Sequence, residues 1–107
     1  MRIDLKDTRI FIKPGPTDLR TSLDALVNYA EVILKQDPYS GAVFLFCNRQ
    51  KKILKAITFD KTGFWIAQKR LQKQTWKWPD TSYEVTEIKP KQVLQLLNGI
   101  DFTSKRY

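Results

Sequence analysis

Apolar positions recur along this chain with two different periods. Between residues 19 and 34, Leu19, Leu23, Leu26, Val27, Ala30, Ile33 and Leu34 fall at helical spacing, with Arg20, Asp24, Asn28 and Glu31 between them and Lys35 just beyond. That pattern predicts an amphipathic helix of about five turns with one apolar stripe to bury. Thr17 and the Thr21-x-x-Asp24 pair are candidate N-caps, and Asp18 suits the first turn. Elsewhere the pattern is that of strands. Residues 9–13 read as a short strand closed by Pro14-Gly15-Pro16. The continuous apolar run at 42–47 suits a central strand covered on both faces. Strands at 53–59, 64–71 and 75–78 follow, joined by Asp60-Lys61-Thr62-Gly63 and Gln72-Lys73-Gln74, and 83–88 is a last strand. Pro90 then opens a short helix with Val93, Leu94, Leu96 and Leu97 on its apolar side, and Gly99 suits its C′ position. Ile100 and Phe102 are expected to fold back onto the core. The fold class is α+β: an antiparallel β-meander of about five to six strands, one long amphipathic helix near the N-terminus and a short C-terminal helix.

With 107 residues and no repeat, linker or low-complexity tract, the chain reads as a single domain. Residues 9–102 are its expected ordered core, with frayed ends that include Lys105, Arg106 and Tyr107. No apolar run approaches the ~20 residues that span a bilayer. The charged start Met1-Arg2-Ile3-Asp4-Leu5-Lys6-Asp7 does not read as a signal peptide, so a cytoplasmic location is expected. Cys47 is the only cysteine and sits in an apolar run, which predicts a buried, inert thiol. There is no histidine, which removes the Ser-His and Cys-His nucleophile pairs and most zinc sites.

Charge changes the picture more than composition does. Residues 48–77 contain nine basic side chains, Arg49, Lys51, Lys52, Lys55, Lys61, Lys69, Arg70, Lys73 and Lys77, against Asp60 alone. This segment carries the whole net charge of +8, because the remaining ten basic and ten acidic side chains cancel. A basic middle between neutral flanks polarises the field and concentrates polyanions. The competing reading is a solvated surface that maintains solubility and discourages edge-to-edge aggregation. Solubility alone does not require segregation, so polyanion binding is preferred.

A two-metal centre needs converging carboxylates. Asp18 is better explained by capping, Asp60 and Asp101 by turns, and Asp18 and Asp24 do not share a helix face. No glycine-rich phosphate loop is present. Trp76 and Trp78 share a strand face beside Lys73 and Lys77. They read first as cover for the end of the core, and second as rings for base stacking or a partner. The core reading applies more strongly to Trp65. Alternation sends Lys69 and Arg70 to opposite faces of their strand.

The order of motifs then carries a family resemblance. Thr17-Asp18-Leu19-Arg20 precedes Leu23-Asp24-Ala25-Leu26, and Asp37-Pro38-Tyr39-Ser40-Gly41 leads into Val43-Phe44-Leu45-Phe46. Asn48-Arg49, Lys55, Phe59-Asp60, Gly63-Phe64, Lys69-Arg70-Leu71, Trp78-Pro79 and Leu96-Leu97-Asn98-Gly99-Ile100-Asp101 follow. Over residues 9–102 this set resembles the small TnpB, or Orf2-like, accessory protein of insertion-sequence-66 transposons. The resemblance implies a bacterial mobile-element protein, encoded beside a larger transposase that holds the catalytic acidic residues. Its family-motif residues are Asp18, Arg20, Asp37, Pro38, Gly41, Lys55, Asp60, Gly63, Lys69 and Arg70. Gln74 and Thr75 stand where the family usually has glycine and arginine, and Cys47 where it often has arginine.

The expectation is therefore a non-catalytic accessory protein for transposition, with no metal and no cofactor. DNA is the expected partner, held through Arg49, Lys51, Lys52, Lys55, Lys69, Arg70, Lys73 and Lys77, an inference from charge. The alternative is an adaptor that docks on the cognate transposase without touching DNA.

Overall fold

The apolar run at the middle of the chain lies at the centre of one sheet. A computed structural model describes residues 7–103. Its strands are β1 (Ile10–Ile12), β2 (Val43–Cys47), β3 (Ile53–Asp60), β4 (Gly63–Arg70) and β5 (Glu87–Ile88), in the order β4-β3-β2-β1-β5. Helix α1 (Leu23–Asn28) continues as a π-helical turn over Tyr29–Ile33, and α2 is Pro90–Leu97. β2, β3 and β4 form the expected antiparallel meander. β1, however, runs parallel to β2, with Ile10 opposite Val43 and Ile12 opposite Leu45, so the sheet is mixed rather than antiparallel. The helix between β1 and β2 is a crossover that returns the chain in its original direction. β5 closes the far edge antiparallel to β1.

Each face of the sheet has its own cluster. Phe11, Phe44, Phe46 and Ile57 pack under Leu26, Ala30 and Leu34 of the α1 region. On the opposite face Ile10, Ile12, Val43, Leu45, Cys47 and Leu54 pack with Val93 and Leu96 of α2 and with Trp76 and Trp78. β2 is buried at every position because helices or aromatic rings cover both of its sides.

The first helix is shorter than its apolar pattern. It spans eleven residues, and Ser22, not Thr17 or Thr21, caps it by accepting from the Ala25 amide. The Asp18 carboxylate instead accepts from the Arg20 amide, which holds residues 18–20 in a turn. The π turn, with Leu34 N–H donating to Tyr29 C=O at 3.0 Å, widens the helix end. Leu26, Ala30 and Leu34 remain on the sheet, while Val32 and Ile33 face outward.

Three further expectations are corrected. Residues 75–78 are not a strand. The Trp76 amide donates to Lys51 C=O and the Trp78 indole to Lys13 C=O, which tie this segment across the end of the sheet. The last strand shrinks to Glu87–Ile88, because its partner β1 has only three residues to offer. Trp65 lies on the edge strand β4 and is 50% exposed, rather than in the core. Phe102 does pack onto the core beside Tyr83, whereas Ile100 stays exposed. The expectations for the first six residues and for the tail from residue 104 lie outside the described residues. Among the described residues, no helix is long and apolar enough to cross a membrane.

Candidate nucleic-acid interface

One end of the sheet is built around Asn48. Its carboxamide oxygen accepts from the Lys52 and Ile53 amides at 2.9 and 3.0 Å, and its own amide donates to Ile53 C=O. Lys51 sits in the left-handed region at φ 59° and donates its amide to Asn48 C=O. With its backbone satisfied internally, this β2–β3 turn presents Arg49, Gln50 and Lys51 to solvent. The chain leaving β4 comes back to the same turn. Leu71 N–H donates to Lys52 C=O at 2.9 Å, and the Lys52 ammonium donates to Gln74 C=O at 3.0 Å. Arg70 lies opposite Ile53 in the ladder.

These bonds gather Arg49, Lys51, Lys52, Lys69, Arg70 and Lys73 at one end of the sheet, with Lys77 next to the tethered Trp76. Of the nine basic residues in the segment, Lys61 departs: it sits at the β3–β4 turn, at the opposite end. Lys69 and Arg70 do point to opposite faces. The Lys69 ammonium lies 5.9 Å from the Trp76 ring centre, while Arg70 shares its face with Gln68 and Lys55. Lys55 is half-buried, and its ammonium donates to Leu19 C=O at 3.3 Å, which anchors the loop that precedes α1. Trp76 and Trp78 are 1% and 6% exposed. Neither ring is presented for stacking or for a partner, because both cover the apolar face of the sheet where α2 does not reach.

The family-motif residues divide between the two ends. Asp37 accepts from the Tyr39 amide at 2.9 Å, Pro38 is buried, Gly41 takes φ 91°, and Asp60 faces Gly63 across the hairpin turn. The Trp65 indole donates to Asp60 at 3.2 Å. These residues shape turns at the end remote from the cationic cluster. Asp18 and Arg20 stand at the cationic end, joined by guanidinium hydrogen bonds of 3.0 and 3.1 Å. Those bonds, with the Arg20 amide, hold the Asp18 carboxyl below its ordinary pKa. Asp80 is likewise held low, chiefly by hydrogen bonds from Ser82 and less by the nearby Lys51. Burial pushes the Cys47 thiol up to about 12, which suits an inert group. Asp18, Asp24, Asp60 and Asp101 do not converge, and among the described residues no group of three or more His, Cys, Asp or Glu side chains is placed to hold a metal.

Between the loop at residues 16–20 and the turn at 48–50 lies a cleft of about 700 Å³. Thr17, Leu19, Arg20, Arg49, Ile53 and Gln68 line much of it. Sequence reasoning placed Arg20 and Arg49 among residues of interest, but not Thr17, Asn48, Gln50 or Gln68 as parts of one site. No motif joins them: Thr17 and Asn48 stand in separate motif runs, and the loop and the turn are about thirty positions apart and meet only because β1 lies beside β2.

The model of the family described as IS66 Orf2 like protein matches residues 8–107. The chain is 33% identical over 97 residues to Uncharacterized protein y4hO of Sinorhizobium fredii, covering 91% of this chain and 84% of that protein. It is 27% identical over 95 residues to Uncharacterized protein y4jC of the same organism, covering 89% and 81%. No solved structure matches it significantly.

Proposed function

We propose that this chain, which belongs to the IS66 Orf2-like protein family, is a non-catalytic accessory factor in transposition that holds DNA on the cationic end of its sheet. The family suggests the transposition setting; the contact with DNA rests on the surface. The observation that carries it is the gathering of Arg49, Lys51, Lys69, Arg70, Lys73 and Lys77, all exposed and without an ion pair among the described residues. By contrast, Arg20 at the same end is paired with Asp18, and Arg9 is paired with Glu87. Unpaired cations at one end are free to neutralise phosphates, and Arg adds a fork that matches their oxygens. Binding to duplex DNA should fall steeply with salt, with a log–log slope of about −0.9 for each phosphate contacted. A titration from low to physiological salt tests this. Absent binding at low salt, or a flat slope, refutes the reading.

The adaptor reading keeps one support, the edge strand β4 with Trp65 and Ile66 both about half exposed. A pull-down with the cognate transposase separates the two. Capture that survives nuclease treatment favours the adaptor, and capture that nuclease abolishes favours DNA as the bridge.

A further inference from the structure

The cleft beside the cationic cluster has properties that phosphate neutralisation does not use. Its volume of about 700 Å³ is that of a small-molecule site. A duplex does not enter a space of that size, but one nucleotide does. Leu19 and Ile53 give it apolar wall, suited to the face of a base. Gln68 extends from β4 with a carboxamide that makes no hydrogen bond among the described residues, so one donor group and one acceptor are available to a base edge. The Arg49 guanidinium in the lining is likewise without a hydrogen bond or ion pair among the described residues. Thr17 in the wall is 5% exposed, and its amide donates to Cys47 C=O at 2.7 Å, which fixes the loop against the end of β2.

The surroundings favour a nucleotide over other ligands. Asp18, the one carboxylate of the lining, is taken up by Arg20, so a metal finds no free acidic set. The lining combines apolar wall, a free amide and guanidinium planes, the groups that receive an unstacked base and its phosphate. Gln68 in the lining shares its sheet face with Arg70 and Lys55, which sets the cleft beside part of the cationic end.

We propose that this cleft is a subsite for one unpaired nucleotide of the bound DNA. The base lies against Leu19 and Ile53 with its edge on Gln68, and the phosphate meets Arg49. This rests on the DNA-binding reading above. With no glycine-rich loop to cradle it, a free nucleotide binds far more weakly than one delivered by a strand.

The test compares three probes: a fully paired duplex, the same duplex with one extrahelical 2-aminopurine, and free 2-aminopurine deoxynucleoside monophosphate. The bulged duplex should bind about tenfold more tightly than the paired one, with a change in 2-aminopurine emission. Gln68→Ala and Leu19→Ala should each reduce the ratio of the two affinities toward one, with thermal melting used to verify the fold. Equal affinity for both duplexes in the unaltered protein overturns the subsite and leaves the DNA-binding reading standing. A preference that persists in both variants also overturns it. Saturation by the free nucleotide at the affinity of the bulged duplex overturns the strand-delivered nucleotide in favour of a mononucleotide site. Binding to neither duplex overturns both readings.

Discussion

The two ends of the sheet differ in how their side chains are satisfied. At the β3–β4 turn, the polar and aromatic groups satisfy one another. The Trp65 indole reaches Asp60, the Thr58 hydroxyl donates to Gly41 C=O at 3.1 Å, and Tyr39, Phe59 and Phe64 pack ring to ring at 5.1–5.7 Å. At the Asn48 turn, side chains satisfy the backbone instead. Asn48 closes the turn, Lys52 and Lys55 donate to carbonyls, and among the described residues Arg49, Lys51, Lys69, Arg70, Lys73 and Lys77 form no ion pair, with Asp80 only near Lys51. One end is chemically closed and the other is left with charge and hydrogen-bonding capacity to spend on a partner. Local satisfaction, more than residue type, separates a structural turn from a candidate interface.

The contrast depends on Trp76, and removing it should have the largest effect. Trp76→Ala empties a fully buried site under the cationic end and should cost about 3–5 kcal/mol, read from urea unfolding. Trp65→Ala at the closed end should cost about 1 kcal/mol or less, because its ring is half exposed. If both cost the same, the cationic end is not resting on the core. Next in size is charge. Reversal at Lys51→Glu with Arg70→Glu should weaken duplex binding at least about tenfold without changing the melting temperature much. Lys61→Glu at the closed end should change it by no more than about twofold, since solvent screens a distant charge. Equal losses at the two ends would mean that binding follows net charge rather than the cluster.

Asn48→Ala should destabilise the fold by about 1–2 kcal/mol, because two backbone amides of the turn lose their acceptor. It should also weaken DNA binding by loosening Arg49 and Lys51. Asp37→Ala removes a single acceptor at the other end and should cost less.

Proton linkage gives the smallest effects, and their signs differ. The Cys47 thiol is held neutral to about pH 12 against 9.0 when free. The unfolded chain ionises first, so this contribution to stability is complete below the unfolded pKa and declines as pH rises toward the folded one. Alkylation by iodoacetamide at mildly alkaline pH should be slow in the native protein and fast in urea. Asp18 and Glu87 are held low by Arg20 and Arg9, so whatever they add is present above their unfolded values and lost as pH falls through the folded ones. Both are exposed, so acid titration of Asp18→Asn and Glu87→Gln should show only slight losses.

Much of this was written in local pattern. The strands at 42–47, 53–59 and 64–71 were legible within a residue or two, as were the hairpin turn and the second helix with Pro90 and Gly99, because each depends on period and turn chemistry. The first helix was read too long. Leu19 and Ile33 match its spacing, but Asp18 bonds Arg20 and the π turn rotates Ile33 away. The strand at 75–78 was misread because alternating tryptophans satisfy the rule for a strand whether or not a neighbour exists to pair with. The cleft was not legible as one site, since the runs at Thr17 and Asn48 lie about thirty positions apart and Gln68 falls in no motif.

By itself, the sequence determined the segregation of charge, the separation of Lys69 from Arg70 and the family. These depend on composition, on the two-residue repeat of a strand and on motif order, and none requires knowing what lies beside what. Only the tertiary structure decided that β1 pairs parallel to β2, that Trp76 and Trp78 are buried while Trp65 is not, and that seven cations of the basic segment share one end beside a cleft. Each of those depends on hydrogen-bond partners far apart along the chain, and the energy that selects them exists only once the sheet has formed.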